Sequence, residues 1–401
     1  MYRKLYVEVD VDKIKNNVKN IINKYNDYEY YIGVVKGNAY GHGAYLSKYL
    51  LETGVNYFAV SSLDEAIEVR NYIDKPILCL EPIELEYIDL IIKNDITITV
   101  SSIEYYHELI KKDVKGLKVH LKLNTGLNRL GIKTKEEVEE IYNGLITNEN
   151  IELEGIYTHF ATTGVLDKLY DNQVAKFIEI TSTIDLKKIK IVHLGRSASL
   201  ELHPKLDIAN GVRLGIMMYG IGQTFRKYNG LKGKLQKIKH NYLRKKDNIS
   251  KTYDQTDLEL NTAISLKTTV MELQHLQVGE FVGYGGTYKA SKDTIIAICP
   301  IGYADGISLK YRHSKVAING KKYNIVGVIN MGMITIEVDE TVHTGDEVTI
   351  LGNEIDIRTI SNVIESTPYV VMTSINPNIP RKYIKDKKVD KIVEEVFYEK
   401  K

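Results

Sequence analysis

Cysteine is almost absent from the sequence. Only Cys79 and Cys299 occur in 401 residues, each within an apolar run, which favours buried free thiols over a disulfide or a catalytic role. Long apolar runs are also missing, because no stretch approaches the roughly 18 residues that a membrane span needs. The first ten residues already include Glu8 and Asp10, so a secretory signal is not expected. These absences indicate a cytoplasmic enzyme or binding protein.

An excess of charge of one sign is missing as well. Lysine and arginine number 54 and aspartate and glutamate number 52, which gives a formal net charge of +2. Nucleic acid and anionic membranes are therefore not expected as partners, because both select for a basic surface. The apolar fraction of 43% and the charged fraction of 26% are typical of a globular chain, and the length suits two domains.

Eight short apolar runs recur in the first part of the chain, separated by segments with the periodicity of amphipathic helices. The runs are Tyr31–Lys36, Tyr57–Val60, Ile77–Leu80, Ile96–Val100, Val119–Leu123, Gly155–His159, Ile189–Leu194 and Val212–Tyr219. A serine or threonine three residues before a glutamate predicts helix starts at Ser62, Ser101 and Thr134. Eight strand–helix repeats predict a closed (β/α)8 barrel over residues 1–224, with an open doubly wound sheet as the alternative.

The chain changes character in its second part. Short alternating strands and the hairpin pair Asn319-Gly320 predict a mostly β domain over residues 258–385, to which residues 1–9 could add a strand. Residues 225–257 are rich in lysine and arginine, and we interpret them as a basic surface insertion, although such a run could also bind an anionic partner. Residues 386–401 form a highly charged tail to which no chemistry is assigned.

Lys36 ends the first apolar run, in the segment VVKGNAYGHG of residues 34–43. In a barrel, functional residues emerge at the carboxyl ends of the strands. A lysine there is costly to bury, and partial desolvation lowers the pKa of its amine toward that of a nucleophile. The glycines that follow let the backbone approach a bound ligand closely. Lys36 is therefore a candidate for Schiff-base formation, with a structural ion pair as the alternative.

The segment around Lys36 resembles the pyridoxal-phosphate lysine motif of the alanine racemase family, whose members combine a (β/α)8 barrel with a β domain. The resemblance continues in the family's order through six further motifs. They are LKLNTGLNRLG (121–131), GIYTHFAT (155–162), GVRLGIMMYG (211–220), VGYGGTY (282–288), PIGYADG (300–306) and IPR (379–381). The resemblance implies an amino-acid racemase that depends on pyridoxal 5'-phosphate, with L-alanine and D-alanine as the expected substrate pair.

The resemblance also implies which residues bind the cofactor. Lys36 would hold pyridoxal phosphate covalently, and Arg213, oriented by His193, would face the pyridine nitrogen and keep it unprotonated. The phosphate ligands would be Tyr40, Ser197, Gly215, Ile216 and Tyr369. An unprotonated ring is a weaker electron sink, which suits a racemase because it limits side reactions.

Racemisation removes a proton from one face of the α-carbon and delivers another to the opposite face, which two groups on opposite sides of the cofactor do most simply. The resemblance assigns Lys36 to one face and Tyr284 to the other, with Tyr284 supplied by the second subunit of a homodimer. Taken alone, a tyrosine in a glycine-rich hairpin is usually structural.

The remaining site residues are assigned by the resemblance alone. They are His159 beside the cofactor, Arg129 and the backbone amide of Met331 at the substrate, Tyr303 at the entrance, and Lys122 as a possible carbamylated residue that positions Arg129. Without the resemblance, His159 reads as a hydrogen-bonded core histidine and Lys122 as a salt-bridge partner. No metal ligand set is expected.

Three places depart from the family pattern. Asn330-Met331-Gly332-Met333 replaces the usual Cys-Met-Asp-Gln, Asn124 replaces an acidic residue, and Arg196 replaces a smaller amide residue. Loss of the carboxylate at Gly332 enlarges the substrate pocket, so serine or a broader set of amino acids is an alternative substrate. A catalytically altered, racemase-like binding protein is a further alternative. A barrel-fold decarboxylase is disfavoured, because its glycine-rich phosphate loop and cysteine pattern are not found.

Overall fold

The computed structural model describes residues 3–162, 168–222, 230–248 and 258–394. Strand β1 (Tyr6–Asp10) belongs to a large sheet, and the next eight strands form a closed barrel. The barrel strands are β2 (Tyr30–Val34), β3 (Tyr57–Val60), β4 (Ile77–Cys79), β5 (Ile96–Val100), β6 (Leu117–Lys122), β7 (Ile151–Tyr157), β8 (Ile191–Arg196) and β9 (Gly211–Leu214).

Parallel pairing between successive strands runs around the barrel, and β2 pairs with β9 to close it. Strands such as β3 and β5 are buried at every residue. A parallel sheet covered on both faces produces such continuous apolar runs, which is why the runs were visible in the sequence. The predicted closed barrel is confirmed, and an open doubly wound sheet is excluded.

Helices follow β1 and the barrel strands, and the short element α2 among them is a left-handed turn rather than a regular helix. In chain order they are α1 (Val11–Lys24), α2 (Lys36–Tyr40), α3 (Leu46–Leu50), α4 (Leu63–Arg70), α5 (Ile88–Lys93), α6 (Ile103–Leu109), α7 (Lys135–Leu145), α8 (Lys168–Ile180) and α9 (Ser197–Leu202). Ser62 caps α4 and Thr134 caps α7, as predicted. The predicted start at Ser101 is wrong by one residue: Ser101 is buried at the end of β5, and the side chain of Ser102 accepts the capping hydrogen bond.

The part of the basic insertion that the structure describes contains a helix, α10 (Gly230–Lys246), to which the sequence analysis assigned no element. Its apolar side chains Leu231, Leu235, Ile238 and Tyr242 are exposed. Residues 225–229 and 249–257 of the predicted insertion lie outside the described residues. Within the described ranges, every helix is too short or too polar to cross a membrane.

The second part of the chain is mostly β. Its strands are β10 (Ile264–Thr269), β11 (Glu272–Leu276), β12 (Phe281–Val282), β13 (Tyr288–Lys289), β14 (Thr294–Cys299), β15 (Lys315–Ile318), β16 (Lys321–Val326), β17 (Ile334–Val338), β18 (Glu347–Leu351), β19 (Arg381–Lys385) and β20 (Lys388–Val393). Two short helices, α11 (Ile357–Val363) and α12 (Pro368–Thr373), precede β19. The prediction of a mostly β second domain is confirmed.

Nine of these strands and β1 form one ten-stranded sheet in the order β11-β14-β17-β16-β15-β18-β10-β1-β19-β20, in which β1 is third from one edge. The hairpin at Asn319-Gly320 joins β15 to β16. Strand β1 pairs with both β10 and β19, so the start of the chain is part of the β domain. Strand β20 lies in the segment interpreted as a charged tail, where the alternating sequence KVDKIV follows the period of a strand. Residues 395–401 lie outside the described residues.

Candidate active site

A cavity of about 970 Å³ opens at the carboxyl ends of the barrel strands. Most of the residues that the sequence assigned to the site line it: Lys36, Tyr40, Lys122, Arg129, His159, Ser197, Arg213, Gly215, Ile216 and Tyr369. The basic side chains in its wall are those of Lys36, Lys122 and the three arginines 129, 196 and 213, against the two carboxylates of Glu65 and Glu81. This excess of positive charge favours an anionic ligand.

Lys36 follows β2 with only Val35 between them, where the chain leaves the barrel in a left-handed turn. From Gly37 to Tyr40 every residue has a positive φ, between 49° and 62°. A left-handed backbone costs roughly 1–2 kcal/mol at each non-glycine residue. Glu65 stabilises the turn, because its carboxylate accepts hydrogen bonds from the backbone nitrogens of Gly37 (2.7 Å) and Ser61 (2.7 Å). The sequence analysis used Glu65 only as part of a helix start and missed this contact.

Gly41 brings the lysine segment against the β domain. Its φ is 80°, and a Cβ there would lie 2.2 Å from the carbonyl oxygen of Met372 in α12. Only glycine permits both the backbone conformation and the contact. The contact places α12 beside the cavity, where the rings of Tyr369 and Tyr40 are 5.9 Å apart. Tyr369 of the β domain therefore lines the same cavity as the barrel residues.

Hydroxyl groups surround a small space at one side of the cavity. Ser197 Oγ accepts a hydrogen bond from the backbone nitrogen of Gly215 (2.9 Å). A Cβ on Gly215 would lie 3.1 Å from the hydroxyl of Tyr40 and 3.7 Å from Ser197 Oγ, so the glycine keeps this space open. Burial raises the pKa of Tyr40, which therefore stays a hydroxyl donor. Such a donor set fits a phosphate group.

Arg213 is buried and held by several acceptors. Its Nη1 donates to the carbonyl oxygen (2.6 Å) and to Nδ1 (2.8 Å) of His193, and its Nη2 donates to the carbonyl oxygens of Thr158 (2.7 Å) and Leu194 (3.2 Å). Burial lowers the pKa of Arg213 only to about 10, so the guanidinium is charged at pH 7. These contacts fix a cation in the cavity wall.

A chain of hydrogen bonds continues behind Arg213. Because a guanidinium can only donate, Nδ1 of His193 accepts, and its Nε2 carries the proton. That Nε2 donates to Nδ1 of His120 (2.8 Å), and Nε2 of His120 donates to the carboxylate of Glu154 (3.3 Å). Tyr57 (2.7 Å) and Lys190 (3.0 Å) also donate to Glu154. The network fixes both histidine tautomers, and the sequence analysis found only its first member.

His159 and Lys122 share the opposite wall with Arg129. Burial, and after it the charges of nearby basic groups with Arg213 first, lower the pKa of His159 to about 2, so its ring is neutral at pH 7. Burial and the charges of Arg213 and Arg129 also lower the pKa of Lys122 well below its usual value. Its Nζ lies over the ring of Tyr157, 4.7 Å from the centroid. Burial and the two guanidinium groups thus make the neutral form of the Lys122 amine more accessible than in an exposed lysine.

Asn124 shapes the loop that carries Arg129. Its Oδ1 accepts hydrogen bonds from the backbone nitrogens of Gly126 (3.2 Å) and Asn128 (2.9 Å). A side-chain oxygen that accepts from the residues just after it is typical of a tight loop. In this chain Asn124 therefore has a local structural role in that loop.

Three predicted site residues do not line the cavity of this chain. Tyr284 is 79% exposed, Tyr303 45% and Met331 63%. Tyr284 lies in the loop of the separate hairpin β12–β13. Tyr303 and Met331 lie close together, because the backbone nitrogen of Tyr303 donates to Asn330 (3.0 Å) and that of Ala304 to Met331 (3.0 Å). A single chain therefore does not bring Tyr284 to Lys36.

Potential metal ligands and the two cysteines were located among the residues that the structure describes. No group of three or more histidine, cysteine, aspartate or glutamate side chains there could hold a metal ion. Both cysteines are buried and free, as predicted, and burial raises the pKa of each thiol to about 12.

The protein combines a closed barrel, a mostly β domain and a basic cavity that holds a lysine just beyond the first barrel strand. The family model for the alanine racemase N-terminal domain matches residues 9–223, and that for the alanine racemase C-terminal domain matches residues 263–383. The chain belongs to the alanine racemase family and is an amino-acid racemase, an isomerase. Members of this family depend on pyridoxal phosphate.

Individual relatives agree with the family assignment. Alanine racemase 1 of Bacillus subtilis (strain 168) is 34% identical over 96% of this chain and 94% of its own length. The crystal structure of alanine racemase from Bacillus anthracis with bound L-Ala-P has a TM-score of 0.84 and 31% identity and covers 98% of both chains. Histidine racemase from Leuconostoc mesenteroides, at 24% identity, covers 96% of this chain and 99% of its own with a TM-score of 0.81, which shows a shared fold.

Proposed function

We propose that the protein interconverts L-alanine and D-alanine with pyridoxal phosphate bound to Lys36. The observation that carries this proposal is the position of Lys36, at the end of β2 in a basic cavity that also holds the hydroxyl groups of Tyr40 and Ser197. Tyr369 and the backbone of Gly215 and Ile216 would complete the phosphate site. The bound cofactor would supply the electron-withdrawing ring that makes the α-proton of the substrate removable.

Arg213 would face the pyridine nitrogen. It is fixed by three carbonyl oxygens and by His193, and it stays charged at pH 7. A cation that can only donate disfavours protonation of the nitrogen opposite it. We expect this arrangement to limit electron withdrawal by the ring, which favours simple return of the proton to the α-carbon over other outcomes.

Two bases would act on opposite faces of the α-carbon. Lys36 Nζ, freed when the substrate amine takes its place, would move the proton on one face, and the hydroxyl oxygen of Tyr284 would move it on the other. Tyr284 is exposed on its hairpin and does not line the cavity of its own chain. This favours a homodimer in which each hairpin enters the cavity of the other subunit. Tyr303 and Met331, also exposed, would enter the same composite site.

Arg129 would bind the substrate carboxylate, with His159 neutral beside it. We also propose that Lys122 is carbamylated. Carbon dioxide reacts with a neutral amine, and burial among Arg129 and Arg213 favours that form of Lys122. The negative charge of the carbamate would offset the two guanidinium groups and orient Arg129 toward the substrate.

Serine is the alternative substrate, and the observation that favours it is at Gly332. A Cβ on Gly332 meets no atom within 4 Å, so the chain leaves open the space that a carboxylate side chain would take. An added hydroxyl changes selectivity in an apolar pocket by only about 10–200-fold. The names of the relatives favour alanine as the principal substrate.

A chiral assay tests the proposal. Purified, cofactor-loaded protein is incubated separately with L-alanine, L-serine and L-lysine, and the D-enantiomers are quantified by chiral chromatography. We expect D-alanine in excess over D-serine, and none with Lys36→Ala. Lys93→Ala removes an exposed lysine and serves as the control. A protein that binds the cofactor but racemises none of the three would be a binding protein, and the proposal would be wrong.

A further inference from the structure

Arg196 has a buried nitrogen without a partner in the candidate site. It ends β8, directly before Ser197, and its side chain lines the cavity. Its Nε is buried and makes no hydrogen bond with any described residue. A buried donor left without an acceptor destabilises the protein, and more so when it is charged, because it has lost its hydrogen bonds to water. The position therefore calls for an acceptor that the protein itself does not provide.

The groups around Arg196 are hydroxyls and cations. Burial lowers its pKa, while the nearby hydroxyls of Tyr369 and then Tyr40 act in the opposite direction. Its charge in turn lowers the pKa of Arg213, so the two guanidinium groups lie within electrostatic reach of each other. The carboxylate of Glu65 is already engaged by two backbone nitrogens. The missing partner is therefore expected to be an anion that enters the cavity.

We propose that Arg196 donates hydrogen bonds to the phosphate of the bound cofactor. This inference rests on the proposed function, because it requires pyridoxal phosphate in the cavity. A phosphate monoester carries about −1.5 to −2 charges at pH 7 and three strong acceptor oxygens. Arginine binds such a group through two parallel hydrogen bonds, which are stronger than those between neutral groups.

A positive charge beside the phosphate would distinguish this chain from the family pattern. The remaining phosphate donors are the hydroxyls of Tyr40, Ser197 and Tyr369 and backbone amides, all neutral. Arg196, where the family pattern has a smaller amide residue, adds a permanent positive charge on the phosphate side. The affinity gained this way depends on the phosphate and not on the pyridine ring or on the link to Lys36.

Binding of two cofactor forms separates these contributions. Cofactor-free protein is titrated with pyridoxal phosphate and with pyridoxal, which lacks the phosphate, and binding is followed by absorbance. In Arg196→Gln we expect the dissociation constant of pyridoxal phosphate to rise about 10- to 100-fold, as loss of a charged hydrogen bond predicts, and that of pyridoxal to stay unchanged. Arg196→Lys should retain part of the preference. Arg312→Gln, an exposed arginine of the β domain, is the control.

The phosphorus NMR signal of the bound cofactor gives a readout without turnover. A guanidinium beside the phosphate lowers its second pKa below the usual value of about 6. We expect that pKa to rise in Arg196→Gln and to be unaffected in Arg312→Gln.

Other outcomes overturn the inference. Equal weakening of both forms in Arg196→Gln would mean that the arginine only maintains the shape of the site, and unchanged affinities would mean that it does not contact the phosphate. If the native protein binds neither form through Lys36, the proposed function fails along with this inference. The proposed function and this inference are both supported if Arg196→Gln loses its preference for pyridoxal phosphate over pyridoxal while Arg312→Gln keeps it.

Discussion

Glu154 offers a quantitative test of the hydrogen-bond chain behind Arg213. Burial alone would raise the pKa of its carboxyl group, but the hydrogen bonds from His120, Tyr57 and Lys190 outweigh that and lower it from 4.5 to about 2. A difference of one pKa unit corresponds to about 1.36 kcal/mol, so 2.5 units give about 3 kcal/mol. Since Lys190 is half-exposed, we reduce the expected contribution to about 2–3 kcal/mol.

The direction in which stability depends on pH follows from the direction of the pKa shift of Glu154. The pKa of Glu154 is lower in the folded chain than in the unfolded chain, so the stabilisation is complete above about pH 4.5. It is lost as the pH falls toward 2, where the folded protein also takes up the proton. Glu154→Gln should therefore lower the free energy of unfolding by about 2–3 kcal/mol at pH 7, and the deficit should shrink below about pH 4.5.

Urea denaturation measures the effect, with the cofactor at one fixed concentration from pH 7 to pH 3. Glu152→Gln, an exposed glutamate on the same strand, is the matched control and should stay within about 0.5 kcal/mol of the native protein. If Glu154→Gln also stays within that range at pH 7, the carboxylate does not anchor the two histidines, and the reasoning about Arg213 is wrong.

Three further predictions concern the composite site. Lys36→Ala should lose the cofactor absorbance at about 420 nm and any adduct that borohydride can reduce. A surviving adduct would identify another lysine as the anchor. Inactive Lys36→Ala and Tyr284→Ala proteins, once mixed and allowed to exchange subunits, should regain activity, because one of the two composite sites then holds both native bases. No rescue after confirmed exchange would place both bases within one chain. Gly332→Asp should shift kcat/KM from serine toward alanine without changing cofactor absorbance, and an unchanged ratio would remove Gly332 from the pocket.

Much of the barrel and its cavity was predictable from the sequence. Strand β3 has the predicted bounds, because its residues are buried on both faces and leave an unbroken apolar run. The position of Lys36 then follows from the rule that barrel strands present their carboxyl ends to one cavity, whereas Arg213 was assigned only through the family resemblance. The family motifs added the chemical role of each residue, which the pattern of strands and helices leaves open.

Other parts depend on contacts that no local pattern encodes. In the pairing of β6 with β7, Val119 faces Leu153 and His120 faces Gly155, so Glu154 is skipped as a bulge residue. Its burial follows from that bulge and not from the alternation of the strand. Helix α10 was missed because its many lysines suggested a solvated loop. The exposed position of Tyr284 could not be read from its motif, because it depends on how the hairpin β12–β13 stands out from the sheet.

Proton exchange in deuterium oxide tests the two-base mechanism most directly. Tyr284→Phe keeps the ring and removes the hydroxyl, while Lys36 and the cavity stay intact. Proton NMR then follows loss of the α-proton signal separately for L-alanine and D-alanine. We predict that Tyr284→Phe abolishes racemisation and still exchanges the α-proton of one enantiomer, the one that Lys36 serves, while exchange of the other is lost. Racemisation at the native rate in Tyr284→Phe, or equal exchange of both enantiomers, would contradict the account.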